Sequence, residues 1–165
     1  MKKILALTLS TLLLLSLFAC NGGAAYKNNV NVDTLADKAI ACIPLANGYS
    51  DWDEDTVDYY FGDAEKLADY EVYDSRDGND HNLFGIFKAK NSDDVSKIKS
   101  ACESFIRKYS NDISGSVQNY APGEAAKFDN AKVSVYGDYV LVTILSASDT
   151  SAVCTAVENA LKADK

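Results

Sequence analysis

Histidine occurs once in the 165 residues, as His81, which removes any site needing two or more imidazoles and with it most catalytic zinc centres. Basic side chains are also short: 16 Lys and Arg stand against 24 Asp and Glu, a formal net charge of −8. Such a chain cannot neutralise a row of phosphates, so no nucleic-acid partner is expected. Proline appears twice and no Cys-x-x-Cys spacing exists, so redox catalysis and a zinc knuckle have no motif to rest on. No cofactor, metal or catalytic residue set is expected from this inventory. What is plentiful is apolar: 47% hydrophobic and 10% aromatic residues, enough to build a core in one domain.

The long apolar run is confined to residues 4–19, behind Lys2 and Lys3. A positive start and a short greasy stretch make a secretory signal, too short for a comfortable span of about 20 residues. The run ends Leu17-Phe18-Ala19-Cys20, where Leu17 is too large for ordinary cleavage. The tetrapeptide resembles a bacterial lipobox, which implies diacylglyceryl transfer to the Cys20 thiol and cleavage just before it. The expected organisation is a signal at 1–19, a Gly-, Ala- and Asn-rich flexible tether at 20–31, and one domain at 32–165. A two-chain anchor holds where one acyl chain would not, so the lipid bilayer is a partner through Cys20 and the outer face of the cytoplasmic membrane is the expected location.

Periodicity predicts the elements. Asp33 is read as the cap of a helix bearing Leu35, Ala36, Ala39, Ile40 and Ile43, ended by Pro44. Residues 45–50 read as irregular, and an acidic-started helix follows over 53–61 with Gly62 at its exit. Tyr70-Glu71-Val72-Tyr73 and residues 83–89 read as a hairpin through Asp77-Gly78. Val95, Ile98, Cys102, Phe105, Tyr109, Ile113, Val117 and Tyr120 mark one face of a long helix, with Gly115 the place for a break. A helical turn at 124–128, strands at 132–136 and 139–145 joined at Gly137-Asp138, and a helix from Ser148 or Asp149 complete the chain. The continuously apolar 139–145 stretch is placed centrally in the sheet. The expectation is an α+β, two-layer domain: a four-stranded antiparallel sheet with helices packed on one face, in the order α-α-β-β-α-β-β-α. A hairpin followed by a helix occurs in each half, which suggests a duplicated architecture.

The pattern resembles a family of lipoproteins, found mostly in Firmicute-type bacteria, that carry the domain of unknown function 4358. The stretches that carry the likeness are Tyr60-Phe61-Gly62, Tyr70-Glu71-Val72-Tyr73, Ile86-Phe87-Lys88-Ala89-Lys90, Arg107, Tyr120-Ala121-Pro122 and Gly137-Asp138-Tyr139-Val140. Many members have an acidic residue entering the second strand, where this chain has Asn82-Leu83-Phe84. The resemblance implies a lipid-anchored domain outside the cytoplasm and supplies no catalytic residues.

Four constellations bear on chemistry. Residues 51–55 begin like a calcium loop, but Thr56 and Gly62 stand where glycine and glutamate are required. His81 lies in a polar hairpin tip, and Ser114-Gly115-Ser116 lacks the frame of a nucleophile elbow. Cys42, Cys102 and Cys154 read as small buried hydrophobes, with a Cys102–Cys154 disulfide formed if their helices are neighbours. The best ligand surface is acidic and aromatic: Tyr49, Trp52, Asp53, Tyr59 and Tyr60, suited to a sugar or a cationic peptide. The leading expectation is therefore a non-catalytic binding or interaction module for an envelope protein or glycan. The alternative is an enzyme acting on envelope material through paired carboxylates such as Asp53 and Asp58.

Overall fold

A computed structural model describes residues 25–62, 64, 68–77, 80–120 and 122–163, the side chains of 113–120 and 122 excepted. The chain runs α1 (Val32–Cys42), β1 (Tyr49–Asp51), α2 (Glu54–Phe61), β2 (Ala68–Ser75), β3 (Leu83–Ala89), α3 (Val95–Tyr120), α4 (Ala125–Asp129), β4 (Lys132–Tyr136), β5 (Tyr139–Ile144) and α5 (Ala147–Leu161). The class is α+β, as expected, but the sheet has five antiparallel strands in the order β1-β2-β3-β5-β4. The extra strand, β1, is three residues taken from the region read as irregular and pairs Tyr49 with Ser75. It inserts a strand between the first two helices and changes the expected element order. A strand so short has no period of its own, and its pairing with β2 alone defines it.

Helices cover both faces of the sheet. Phe84, Ile86, Tyr139 and Leu141 point to one side and join Leu35, Ala39, Val153, Val157 and Leu161 of α1 and α5. Leu83, Phe87, Val140 and Val142 point to the other and join Val57 and Phe61 of α2 with Ile98, Cys102 and Phe105 of α3. The expected two-layer arrangement is thus corrected to three layers. The physical reason is in the strands: β5 is buried at every residue and β3 at all but one, and such strands need cover on both faces. Because α3 and α5 follow their hairpins onto opposite faces, the halves are not a symmetric repeat. A dyad relating the neighbouring antiparallel strands β3 and β5 would leave both helices on one side.

Local signals otherwise placed the elements well. Asp53 caps α2, its carboxylate accepting from the Thr56 N–H at 2.8 Å. Gly62 leaves that helix with φ 57°. The first helix is capped two residues earlier than expected, by Asn31, whose side chain accepts from the Asp33 N–H at 2.9 Å. Helix α3 is unbroken through Gly115 and holds 26 residues, about 40 Å. Gly137 turns β4 into β5 with φ 61°, with Tyr26 packed where a Cβ would stand.

The described part of the expected tether is docked on the domain. Tyr26 pairs with Lys162 as an antiparallel bridge, and the Lys27 N–H donates to the Leu161 carbonyl at 2.7 Å. Val30 is held through both backbone groups by the Tyr139 hydroxyl, at 2.9 and 2.7 Å. Cys20, the expected lipid site, and Gly78 of the hairpin tip lie outside the described residues.

Candidate functional site

The acidic–aromatic segment divides into residues turned inward and residues turned outward. Tyr49 is only 7% exposed, and its hydroxyl donates to the Ile43 carbonyl at 2.9 Å, so it is a core residue rather than a ligand contact. It also meets the side-chain amide of Asn82, which is itself buried. Trp52 is half-buried, its ring 5.4 Å from Tyr60, 6.0 Å from Phe105 and 6.0 Å from Tyr109. The indole hydrogen-bonds to Asp74, whose carboxyl is raised above the usual range chiefly by burial. Tyr60 stands edge-on to Phe105 and Tyr109 at 5.7 and 5.4 Å. These rings seat α2 on α3. Of the five expected contact residues, Asp53 is spent on capping, and Tyr59 alone projects, 61% exposed. The Lys108 ammonium already lies 3.3 Å from its ring centre and donates to the Tyr59 carbonyl.

Both carboxylates suggested for catalysis are exposed. Asp53 is the exposed helix cap, held below the usual carboxylate range by its bonds to Thr56, and Asp58 is exposed on the same helix. Cys102 and Cys154 are free and lie in different clusters on opposite faces, so the sheet separates them and the expected disulfide does not form. Burial pushes the Cys102 thiol far up, which leaves it inert. Cys42, read as buried, is exposed at the end of α1. His81 stays near the hairpin tip, its backbone N–H donating to Glu124 at 2.9 Å. Among the described residues no group of three His, Cys, Asp or Glu is placed to hold a metal ion.

A different carboxyl group stands out. Glu71, at the centre of β2, shares a sheet face with Tyr73, which pairs directly with Asp51 of β1. The first turn of α1 brings Asp33 to the same place. Burial raises the Glu71 pKa to about 7, helped by a hydrogen bond with Asp33 and the charges of Asp33 and Asp51. The Tyr73 hydroxyl, bonded to Glu71, is pushed up by burial and by those same acids. Glu71 opens onto a groove of about 540 Å³ lined also by Val32, Glu54, Ala68, Asp69, Tyr70 and Lys90. A second groove, about 320 Å³, adjoins it through Val32 and Asp69 and includes Asn29, Asn31 and Lys88. Glu71 was legible as a strand residue but not as a site. Its partners at 33 and 51 are far off in sequence, and an acid amid Tyr70, Val72 and Tyr73 was the one available signal.

A family model described as Domain of unknown function (DUF4358) matches residues 42–145, well over half of the chain. The chain belongs to the DUF4358 family. The matched DUF4358 segment begins at the last residue of α1 and ends just past β5, so it holds all five strands with α2, α3 and α4. Glu71, Asp51 and Glu54 fall inside it, whereas Asp33 and the cover of the α1–α5 face fall outside. No curated protein and no solved structure matches the chain. No helix among the described residues is long and apolar enough to cross a membrane.

Proposed function

We propose that this is a non-catalytic binding module, held outside the cytoplasm by a lipid on Cys20, that takes a cationic or amine-bearing component of the cell envelope in the Glu71 groove. The observation that carries the ligand class is the groove lining: Glu54, Asp69 and Glu71 against Lys90, with Asp33 and Asp51 bearing on Glu71. Tyr70 and Val32 supply flat and apolar surface for the stem of a long amine or a sugar face. The lipobox-like Leu17-Phe18-Ala19-Cys20 supports the location. An acidic domain is repelled by an anionic membrane surface, so the bilayer serves as mooring and the ligand is sought elsewhere.

Calorimetric titration with spermidine, a short oligolysine and its acetylated form tests the ligand. Binding that needs free amines, weakens with salt and drops in the Glu54→Gln, Asp69→Asn double variant supports the reading. Equal heats for free and acetylated peptide sink it.

The enzymatic alternative rests on one observation, the hydrogen-bonded Glu71–Asp33 pair with Glu71 protonated up to near neutrality. Release of reducing ends from purified cell-wall material, lost in Glu71→Gln, would favour it over binding. Intact protein that releases none would exclude that chemistry.

A further inference from the structure

The two edges of the sheet are built differently. On one side the edge strand is β1, three residues long and ending in the exposed Asp51. Such an edge is blunted by shortness and charge. On the other side is β4, Lys132-Val133-Ser134-Val135-Tyr136, with no described strand beyond it. It contains no acid, no proline and no bulge in its register with β5. Val135 is 39% exposed on it, one of two large hydrophobic side chains so exposed among the described residues.

Backbone direction follows from the pairing. The Ala89 N–H donates to the Asp138 carbonyl at 2.9 Å, so even-numbered residues at this end of β5 turn their polar groups toward β3. Odd-numbered Tyr139 and Leu141 then bond Tyr136 and Ser134 of β4. Alternation leaves the N–H and C=O groups of Val133 and Val135 pointing away from the sheet, a template for another strand.

We propose that β4 is a dimerisation edge, at which a second copy of this chain adds its own β4 antiparallel with Ser134 facing Ser134 across the dyad. In that register Val133 lies opposite Val135 of the second copy, and both residues present their outward backbone groups to each other. The valines then meet as cross-strand pairs on one face and cover each other's exposed surface. On the other face Lys132 lies opposite Tyr136 of the second copy at each end of the pairing, and no like charges meet across the edge. A chain of net charge −8 repels its copy over most of its surface, and an acid-free edge is where that repulsion is least. Five-residue pairing buries less than the roughly 1,200 Å² of a stable complex, so the dimer forms in a concentration-dependent way. The inference is independent of the Glu71 groove.

Oxidative cross-linking tests the register. In a Cys42→Ser, Cys154→Ser background of the chain as its host produces it, Ser134→Cys places the new thiols on the dyad. A non-hydrogen-bonded pair there has Cα atoms about 4.5 Å apart, within disulfide reach. Val135→Cys in the same background sets its thiols further apart and serves as the comparison. The expected result is a disulfide dimer forming roughly ten-fold faster for Ser134→Cys. Sedimentation velocity adds a second readout. Val135→Pro removes an N–H that β5 does not use, so it leaves circular dichroism unchanged and abolishes the concentration-dependent dimer. Equal cross-linking of both cysteine variants, a monomer at every concentration, or a dimer that survives Val135→Pro in a folded chain would each overturn the proposal.

Discussion

The two faces of the sheet are closed by different chemistry. Under α2 and α3, rings pack on rings: Phe61 stacks on Phe105 at 4.4 Å, Phe105 on Tyr109 at 5.3 Å, and Trp52 and Tyr60 close the margin. Under α1 and α5, the aromatic residues are mainly tyrosines whose hydroxyls bond the covering chain: Tyr49 to Ile43, Tyr139 to Val30, and Tyr136 to Cys154. Ring packing is strong but tolerant of sliding, whereas a buried hydroxyl needs one partner in one place. The first face is covered by helices within the family segment, and the second by α1 and α5, which flank it. Each tyrosine bond fixes one point of the covering segments against the sheet.

That contrast is open to direct attack. The largest effect is expected on the aromatic face, where Phe105→Ala removes a fully buried ring touching four others and costs about 3–5 kcal/mol in urea unfolding. A loss below 1 kcal/mol would mean that the rings are not what holds α2 and α3. On the opposite face, Tyr139→Phe keeps the ring and strips Val30 of both its bonds, for a loss of about 1–3 kcal/mol. Amide exchange is expected to quicken at residues 25–31 while α3 stays protected. Uniform acceleration would instead deny the clasp its local role.

The junction between α1 and the sheet responds to pH. A carboxyl raised from about 4.5 to about 7 binds its proton more tightly folded than unfolded. Its contribution is complete below the lower value and fades as pH climbs through the upper one, so stability falls with rising pH across that window. Glu71→Gln is expected to flatten this slope between the two values, and an unchanged pH profile would show that Glu71 does not carry it. The smallest effect belongs to Lys108→Met, which removes the ammonium from the Tyr59 ring at a cost of at most about 1 kcal/mol, read in the same urea titration. A larger loss would make Tyr59 part of the α2–α3 seam instead of a projecting ring.

Much of the architecture could be read locally. Residues 83–89 and 132–136 emerge as strands with the expected bounds, because the apolar run of the first, the alternation of the second and the turn residues beside them are all written within a few positions. The acidic start of α2 at Asp53, the Gly137 turn and the apolar face of α3 are legible for the same reason, whereas the expected break at Gly115 does not occur. Tyr49 misled because an aromatic residue among acids looks like a binding surface, while its burial depends on Ile43 and Asn82. The apolar run of β5 held the clue to a doubly covered sheet, yet a continuous run also suits a central strand in a two-layer fold.

Sequence alone determined the charge excess, the apolar run of residues 4–19 followed by Cys20, and where most helices and strands lie, since each depends on neighbours within a turn or a hairpin. Only the tertiary structure decided which face each helix covers, that Cys102 and Cys154 are kept apart, and that Asp33, Asp51 and Glu71 share one corner. Those outcomes depend on which distant segments are brought together, and a carboxyl group changes its acidity only when folding takes water away and puts other charges beside it.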